Sequence, residues 1–396
     1  MRVLILEPHA TGHHASYLCW LVQAIRRKKW NVVIATTEDA LSHPALATIA
    51  SEDGNVAIHY IRESFNFIGA AGRSSQLIHR ELGYRRIFGR AVSAVHAKLP
   101  VDLIVLPYVD YCFYALAILG VPFRGIPWCG ISMRLAVTRS QSVARSPLPY
   151  KWRMAKRLLA ESNLKALFVI NPSVSDVPPN WYTEQELSRL RYLPDPAEYE
   201  VTGSRHESRA ILGVANERVV ILVFGSIDER KGIDSLIAAL ASQDDLANYV
   251  VILAGTQSPA VRSEMSTPVY ARLHAEKRLI VLDRFVSAAE LGSLMAASDV
   301  VWVGYRNHVY MSGVLVLAGR AGLPVVGTAE GEIGRLITRH ALGTVARIDH
   351  RTEVANALRE LLDGATRMEM GRRAEIAFEN HTVENFGARI LSAFDS

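Results

Sequence analysis

The chain of 396 residues has few cysteines. Cys19, Cys112 and Cys129 lack the spacing of metal ligands, and an odd, sparse set is typical of a reducing compartment rather than of a disulfide scaffold. The first residues, MRVLILEPHATGHH, contain an apolar run that is too short for a signal peptide. We therefore expect a cytoplasmic protein.

Long apolar runs without charge are also missing. The most hydrophobic stretch, residues 103–123, carries a single charge, but Pro107 and Asp110 interrupt it. A strand followed by a helix explains this stretch more simply than a membrane span does. Hydrophobic residues make up 49% of the chain and charged residues 21%, which is a soluble globular composition. The sequence thus predicts no transmembrane helix.

Positive charge is concentrated in the first half. Residues 1–195 hold 23 Lys and Arg against 14 Asp and Glu, a balance of +9, whereas the remainder holds 21 against 25, a balance of −4. A basic half is compatible with nucleic acid, an anionic membrane or an anionic substrate, and composition does not choose between them.

Short apolar runs rich in β-branched residues recur in both halves. Because the runs are continuous rather than alternating, they predict parallel strands that are buried on both faces. Helical patterns with the 0, 3, 4, 7 spacing lie between them, so the sequence predicts two Rossmann-like α/β domains. The runs are 3–7, 31–37, 56–61, 101–108, 125–132, 166–170, 219–225, 249–255, 278–285, 299–305 and 324–328.

The polar, proline-containing segment 191–209 is the predicted linker between the two domains. We place the first domain at residues 1–195 and the second at residues 196–380. Ligands of open parallel sheets bind at the carboxyl ends of the strands, so a cleft between the two domains is the expected site.

Residues 219–240, VVILVFGSIDERKGIDSLIAAL, predict a strand, a tight turn and a helix. Gly225 allows the turn, and Asp234 is expected to cap the helix that starts after Gly232. Arg230 and Lys231 lie in the turn, where a phosphate would meet both cations and the amides of the helix start. The alternative is a solvated cationic turn that pairs with the neighbouring carboxylates, Asp228 and Glu229.

Residues 310–328, YMSGVLVLAGRAGLPVVGT, predict a second anion site. Ser312 and Gly313 open an apolar helix directly after a strand, and a helix start of small residues offers bare N–H groups and a favourable dipole. The alternative is that Ser312 serves only as an N-cap.

Five stretches of the second half resemble, in their order, the donor half of GT-B glycosyltransferases. They are FG, RKGIDSLIAAL, VVILAGTQ, VLDRFVSAAELGSLMAASDVVWVGY and GRAGLPVVGTAEGEIGRLI. The resemblance is closest to the large retaining clan that makes bacterial cell-surface glycans. It covers about residues 195–375, whereas residues 1–195 match only in layout. It implies transfer of a sugar from a UDP- or GDP-sugar to a hydroxyl of a glycan or lipid-linked glycan.

In that clan a lysine and an arginine hold the donor diphosphate. Lys231 falls on the lysine, but Ser226 stands where the arginine is usual, so Arg230 is expected to replace it. Two glutamates that normally lie near the donor are also absent, because Val309 and Leu317 occupy their places. The motif resembles a Ser-Gly variant found among exopolysaccharide transferases, and the expectation of anomeric retention is weakened.

Other donor contacts follow from the resemblance. The helix start, Ser312 to Val314, would carry more of the diphosphate, and Gly225, Ser226 and Thr256 belong to the same expected donor set. The nucleobase of such folds rests at the end of the strand that here leads to Asp283, Arg284, Phe285 and Val286. The alternative for Phe285 is an ordinary core position.

The stretch HATGHHASYL, residues 9–18, lies between a predicted strand and a helix. Gly12 permits close approach of an acceptor, and a histidine after such a glycine resembles the base of some inverting GT-B enzymes. We expect His13, ahead of His14, to take this role. Asp110, at the end of another strand, is the second candidate and would position the acceptor or cap the following helix.

The chain contains no D-x-D triplet, which carries the divalent metal of the other major glycosyltransferase fold. We expect no catalytic metal and no cofactor, because the cationic turn and the helix starts can neutralise the leaving diphosphate. Residues 378–394 resemble the GT-B helix that returns to the first domain, so residues 381–396 are assigned to that domain.

Two basic stretches, residues 26–30 and 147–160, could lie on an anionic leaflet at the inner membrane, the second with Trp152 and Met154 beside its cations. The alternative is that both are ordinary helix segments. Nucleic acid is not expected, because no reading module is present. Two rival functions stay open: a GT-B-fold sugar-nucleotide epimerase, and a non-catalytic nucleotide-sugar-binding partner subunit.

Overall fold

The computed structural model describes residues 1–11, 13–51, 56–65, 73–135, 150–177, 179–198 and 202–394. Contacts divide the chain into two compact units. Unit 1 comprises residues 1–194 together with 383–396, and unit 2 comprises residues 195–382.

Strands and helices alternate along unit 1. Its strands are β1 (Arg2–Leu6), β2 (Asn31–Thr36), β3 (Val56–Tyr60), β4 (Leu103–Leu106), β5 (Trp128–Ser132), β6 (Leu164–Val169) and β7 (Leu190–Tyr192). Its helices, apart from the last of the chain, are α1 (His13–Arg27), α2 (Glu38–Leu41), α3 (Pro44–Ser51), α4 (Arg73–Lys98), α5 (Phe113–Leu119), α6 (Tyr150–Leu159) and α7 (Glu184–Arg189).

Unit 2 repeats this alternation. Its strands are β8 (Val219–Phe224), β9 (Tyr249–Ala254), β10 (Leu279–Leu282), β11 (Val300–Val303), β12 (Val325–Thr328) and β13 (Gly343–Ala346). Its helices are α8 (Arg205–Leu212), α9 (Ile233–Ala241), α10 (Pro259–Met265), α11 (Pro268–Ala275), α12 (Ala288–Ala297), α13 (Gly313–Arg320), α14 (Gly331–His340), α15 (Arg351–Glu360) and α16 (Gly364–Phe378).

The last helix, α17 (Val383–Leu391), packs against α1 in unit 1. The ring centroids of Tyr17 and Phe386 are 5.3 Å apart. A Cβ added to Gly387 would lie 2.6 Å from the Cβ of Ala24, so the two helices approach closely because this position has no side chain.

Both sheets are parallel throughout the described residues, as predicted. The strand order is β3-β2-β1-β4-β5-β6-β7 in unit 1 and β10-β9-β8-β11-β12-β13 in unit 2. Each sheet has an apolar cluster on both faces, which explains why its strands are continuous apolar runs. The prediction of two Rossmann-like α/β domains is confirmed. The short strands β7 and β13 were not predicted.

Each sheet has one switch point, where the chain reverses the direction in which strands are added. In unit 1 it lies between β1 and β4, and in unit 2 between β8 and β11. At the carboxyl edge of a parallel sheet, the loops after these two strands part and leave a crevice. The residues that follow β1, β4, β8 and β11 are therefore the first to inspect for a site.

The cationic helix α6 is an ordinary part of unit 1. Trp152 and Met154 are buried in its core, at 3% and 6% exposure, so the expectation that they face a membrane beside the cations is wrong. Within the ranges that the structure describes, no helix combines the length and the hydrophobicity that crossing a bilayer requires.

Candidate functional site

Lys231 lies at the switch point of unit 2, in a 3-10 turn after β8. Gly225 ends the strand with a left-handed φ of 88° and has no side chain to cover the lysine, whose Nζ would lie 3.7 Å from an added Cβ. Lys231 is only 5% exposed, and its Nζ donates to the Phe224 carbonyl at 2.5 Å and to the Tyr305 hydroxyl at 3.4 Å. An ammonium has three donors, and two of them have partners among the described residues.

Arg230 lies beside the lysine but is half exposed. Its Cζ is 5.5 Å from the Tyr305 ring centroid, and the Lys231 Nζ is 5.3 Å from the same centroid. One aromatic ring from the loop after β11 therefore contacts both cations of the loop after β8. Arg230 pairs with Asp228 at 3.5 Å, whereas Lys231 has no carboxylate partner among the described residues. The alternative of a solvated turn is thus wrong for Lys231.

Arg306 fixes the geometry of this turn from the β11 side. It donates to both Asp234 carboxylate oxygens, at 2.6 and 2.8 Å, and its backbone N–H donates to the Arg230 carbonyl. Although burial raises the pKa of Asp234, these hydrogen bonds lower it below its ordinary value overall. The N-cap residue of α9 is Gly232, but the Asp234 carboxylate still interacts with the backbone N–H groups of the first turn while Arg306 holds it.

The start of α13 is open at the same edge of the sheet. Ser312 is its N-cap residue, buried to 6%, but its side chain makes no capping hydrogen bond. A Cβ added to Gly313 would meet nothing within 4 Å, and Val314 is half-buried. The first amides of a helix have no intrahelical partner, so this start offers donors with free space in front of Gly313.

His308 links the helix start to the cationic turn. Its ring is 5.1 Å from that of Tyr305, and its Nε2 lies 3.2 Å from the Met311 carbonyl. Burial lowers the pKa of His308 from its ordinary value, and the charge of Arg230 lowers it further. The loop between β11 and α13 thus contacts the turn between β8 and α9.

The residues expected to meet the nucleobase lie at the carboxyl ends of β9 and β10. Thr256 is exposed, and its carbonyl accepts from the Ile227 N–H at 2.9 Å. Arg284 pairs with Glu290, and Val286 is half-buried. Phe285 is 82% exposed, so its alternative as a core residue is wrong. A large apolar ring facing solvent at a strand end is available for stacking.

In unit 1, a buried carboxylate follows β1 at the switch point. Glu7 is fully buried, its Oε2 lies 3.1 Å from His14 Nδ1, and its Oε1 accepts from the Tyr111 hydroxyl at 3.4 Å. The same hydroxyl is 3.2 Å from His14 Nε2. Gly12 and the side chain of His13 lie outside the described residues, so the structure offers His14 as the histidine with a positioned partner.

Aromatic rings enclose this pair. Tyr84 stacks on Tyr111, with ring centroids 4.5 Å apart and planes 4° apart, and its hydroxyl lies 2.7 Å from His9 Nε2. Burial raises the pKa of Tyr84 to about 12 and lowers that of His9, and burial with the charge of Glu7 raises the pKa of Tyr111. The Glu7 carboxylate oxygens thus face His14 and the Tyr111 hydroxyl.

Asp110 follows β4 but faces the next loop along the sheet. Its carboxylate accepts from Ser132 Oγ at 3.0 Å, from the Met133 N–H at 2.7 Å and from Lys151 Nζ at 3.3 Å. Both oxygens are thus engaged within unit 1. The expected cap of α5 comes instead from Glu81, which accepts from the Ala115 N–H at 2.9 Å.

Comparison with known proteins finds a family match within unit 2. The family model described as "Glycosyl transferases group 1" matches residues 218–364, from the start of the β8 region to the start of α16. Unit 2 carries a glycosyl transferase group 1 domain. A search among curated proteins finds no match.

Solved structures cover the whole chain. HepE from Anabaena, in complex with UDP, is 19% identical, covers 100% of both chains and has a TM-score of 0.68. Sucrose-phosphate synthase from Thermosynechococcus elongatus is 17% identical over 100% of this chain and 98% of its own, with a TM-score of 0.68. WaaG, a glycosyltransferase involved in lipopolysaccharide biosynthesis, is 19% identical over 98% of both, with a TM-score of 0.60. The chain has the GT-B fold.

Within the group 1 domain, the structure brings the predicted Arg230 and Lys231 together with the loop that leads to Ser312 and Gly313. It adds Tyr305 and Arg306, which sequence reasoning missed; the signal was their position directly after a switch-point strand. In unit 1 it adds Glu7 and Tyr111. No group of three or more His, Cys, Asp or Glu in the described ranges is arranged to hold a metal ion.

Proposed function

We propose that the protein is a glycosyltransferase of the hexosyltransferase type. It moves a sugar from a nucleotide-diphosphate sugar to a hydroxyl of a glycan or lipid-linked glycan in bacterial surface polysaccharide synthesis. The observation that carries this proposal is the buried Lys231 ammonium, which contacts Tyr305 in the loop that leads to the open start of α13, within a group 1 domain. UDP is the favoured nucleotide, since the HepE complexes contain UDP and UDP-glucose.

The donor diphosphate would bind between two kinds of positive group. Lys231 is already desolvated, so its remaining donor gains more from a phosphate oxygen than a solvated lysine would. Amides at the start of α13 offer donors whose dipole favours an anion, and Arg230 adds a second cation that can turn toward the ligand. Together these groups would neutralise the leaving UDP without a metal ion.

His14 would take the proton of the acceptor hydroxyl. With Nδ1–H donating to Glu7, His14 would accept the proton at Nε2, and the buried carboxylate would stabilise the imidazolium that forms. The acceptor oxygen bonds to the anomeric carbon of the donor sugar as the bond from that carbon to the diphosphate breaks. The bonding electron pair leaves with UDP, and the proton goes to His14.

An apolar groove in unit 1 supports a lipid-linked acceptor. The groove has a volume of about 610 Å³ between α4, α5 and the start of α6. Contiguous exposed apolar side chains are unusual on a soluble protein and mark a binding surface. Arg153 lies over the Tyr150 ring at 5.9 Å, which places a cation at the rim where a lipid phosphate would lie. The exposed apolar side chains are Leu77, Ile78, Leu82, Ile118, Leu119 and Tyr150.

The proposed function is tested by calorimetric titration with UDP, UDP-glucose and GDP-mannose, followed by transfer assays with a polyprenyl-diphosphate-linked sugar. We expect UDP binding and transfer without added metal. Release of an epimerised free sugar in the absence of acceptor would favour an epimerase instead. Nucleotide binding with neither hydrolysis nor transfer would favour a binding-only partner subunit.

The groove has its own test, the double substitution Ile78→Glu with Ile118→Glu. Both side chains are more than half exposed, so the fold should tolerate charge there. We expect transfer to the lipid-linked acceptor and binding to anionic vesicles to fall at least tenfold, while UDP affinity is unchanged. Unchanged vesicle binding would show that the groove makes no contact with a membrane surface.

A further inference from the structure

A separate pocket opens in unit 1 at the carboxyl ends of β2 and β3. Its volume is about 770 Å³, within the range of small-molecule sites. Its lining comes from the residues that follow these two strands, between Thr37 and Asp39 and between Tyr60 and Glu63. The pocket is on the same edge of the sheet as Glu7, because β1 and β2 are parallel neighbours.

An aromatic ring and polar side chains form the pocket wall. Tyr60, the last residue of β3, is in register with Thr36 of β2 and has 53% of its surface exposed. Arg62 is exposed beside it, and no partner is found for its guanidinium among the described residues. A flat apolar ring next to planar hydrogen-bonding groups suits a sugar, whose C–H face packs on the ring while its hydroxyls reach the polar groups.

The charge of the pocket limits what it can bind. Three carboxylates line it, from Glu38, Asp39 and Glu63, against the single guanidinium of Arg62. Glu63 also lies 3.8 Å from Arg90, outside the lining. This excess of negative charge repels phosphates and uronates, whereas an ammonium group would be attracted to the carboxylates and to the ring face of Tyr60. A neutral sugar would be accepted through hydrogen bonds.

The wall between this pocket and the Glu7–His14 pair is only one segment thick. Thr37 Oγ1 donates to the Pro8 carbonyl at 2.7 Å, and the next residue, His9, donates its backbone N–H to Glu7 Oε1 at 3.1 Å. The His9 ring lies 6.0 Å from the His14 ring. A chain of sugars whose reacting hydroxyl reaches His14 would pass the half-buried His9 on its way to the pocket.

We infer that this pocket binds the part of the acceptor glycan beyond the reacting sugar, and that it selects neutral sugars and amino sugars against uronic acids and phosphorylated sugars. The inference rests on the proposed function, because it presumes a glycan acceptor. It adds to that function a second acceptor subsite with a charge preference.

The test is direct binding of three tetrasaccharides to the full-length protein by calorimetry or saturation-transfer NMR. The probes are an N-acetylglucosamine tetramer, its deacetylated glucosamine form and a galacturonic acid tetramer. We expect the glucosamine tetramer to bind most tightly and the galacturonic acid tetramer not to bind. Failure of all three to bind, or tightest binding of the galacturonic acid tetramer, would overturn the inference.

Matched variants locate the binding. Tyr60→Ala should weaken binding of the glucosamine and N-acetylglucosamine tetramers at least tenfold, while Tyr60→Phe, which keeps the ring, should bind within about twofold of wild type. Glu38→Gln with Asp39→Asn should abolish the preference for the glucosamine form. Equal affinities of Tyr60→Ala and wild type would place the sugars elsewhere. A UDP titration of each sample separates failure of the donor proposal from failure of this pocket.

Discussion

The two units present the same crevice with opposite chemistry. Both sheets run from the third strand through the first to the fourth, and in both the loops after the first and fourth strands contact each other across the switch point. In the loop after the first strand of each sheet, the buried charged side chain is Lys231 in unit 2 and Glu7 in unit 1. The fold thus determines where a site can form, and one buried ion in each loop determines what that site attracts.

The partners of the two buried ions differ in a way that separates binding from chemistry. Lys231 donates to a carbonyl and a tyrosine hydroxyl, and no carboxylate within the described ranges pairs with it. The Glu7 carboxylate interacts with neighbours inside the protein, above all with His14. The proposal therefore assigns binding of the charged donor to unit 2 and the acceptor's base to unit 1.

Glu7→Gln should have the largest effect on transfer, and it tests the proposed role of the buried carboxylate in unit 1. The amide cannot stabilise the imidazolium of His14, so we expect kcat for transfer to fall by about 10²- to 10⁴-fold. UDP affinity should be unchanged, because the donor groups are in unit 2. An equal loss of UDP affinity would show that the two roles are not divided as described.

Lys231→Met tests the proposed diphosphate contact in unit 2. Methionine fills the apolar space of the lysine stem but removes the charge, so the loss of one charge-assisted hydrogen bond of about 1.5–3 kcal/mol should weaken UDP binding roughly 10- to 150-fold. Lys277→Met, at the amino end of β10, is the matched control and should bind UDP normally. Calorimetry of both variants gives the answer, and equal affinities would contradict the assignment.

Gly313→Ala tests whether the free space at the start of α13 is needed for UDP binding, without lowering the thermal stability of the protein. An added methyl meets nothing within 4 Å, and alanine is the better helix former, so the melting temperature should stay constant or rise. Because the methyl would occupy the space in front of the helix amides, we expect UDP affinity to fall about three- to tenfold. Unaltered affinity would show that the diphosphate does not approach this helix start.

The smallest expected effect concerns pH. Burial lowers the folded-state pKa of His9 below its ordinary 6.5, so the unfolded chain takes up the proton first as pH falls. The stability that His9 contributes is therefore present above pH 6.5 and is lost as pH falls through the folded-state pKa. Urea unfolding between pH 7.5 and 5 should show a shallower loss for His9→Gln than for wild type, with exposed His43→Gln as the control.

Sequence reasoning predicted the fold because buried parallel strands are continuous apolar runs, and it placed Lys231 correctly in a turn because the strand before it and the helix after it both have clear apolar patterns. It missed the residues that contact these side chains in the folded protein. Asp234 followed a helix start and looked like a cap, yet Arg306, seventy-two residues later, holds it. Glu7 looked like the polar end of a strand, and only the fold brings Tyr111 and His14 to it.

The most direct test of the account is a crystal structure of the protein with UDP bound. We predict that the Lys231 Nζ and the amides of Gly313 and Val314 lie within about 3.2 Å of the diphosphate oxygens, with the uracil near Thr256 and Phe285. A diphosphate that contacts neither Lys231 nor the start of α13 would contradict the account.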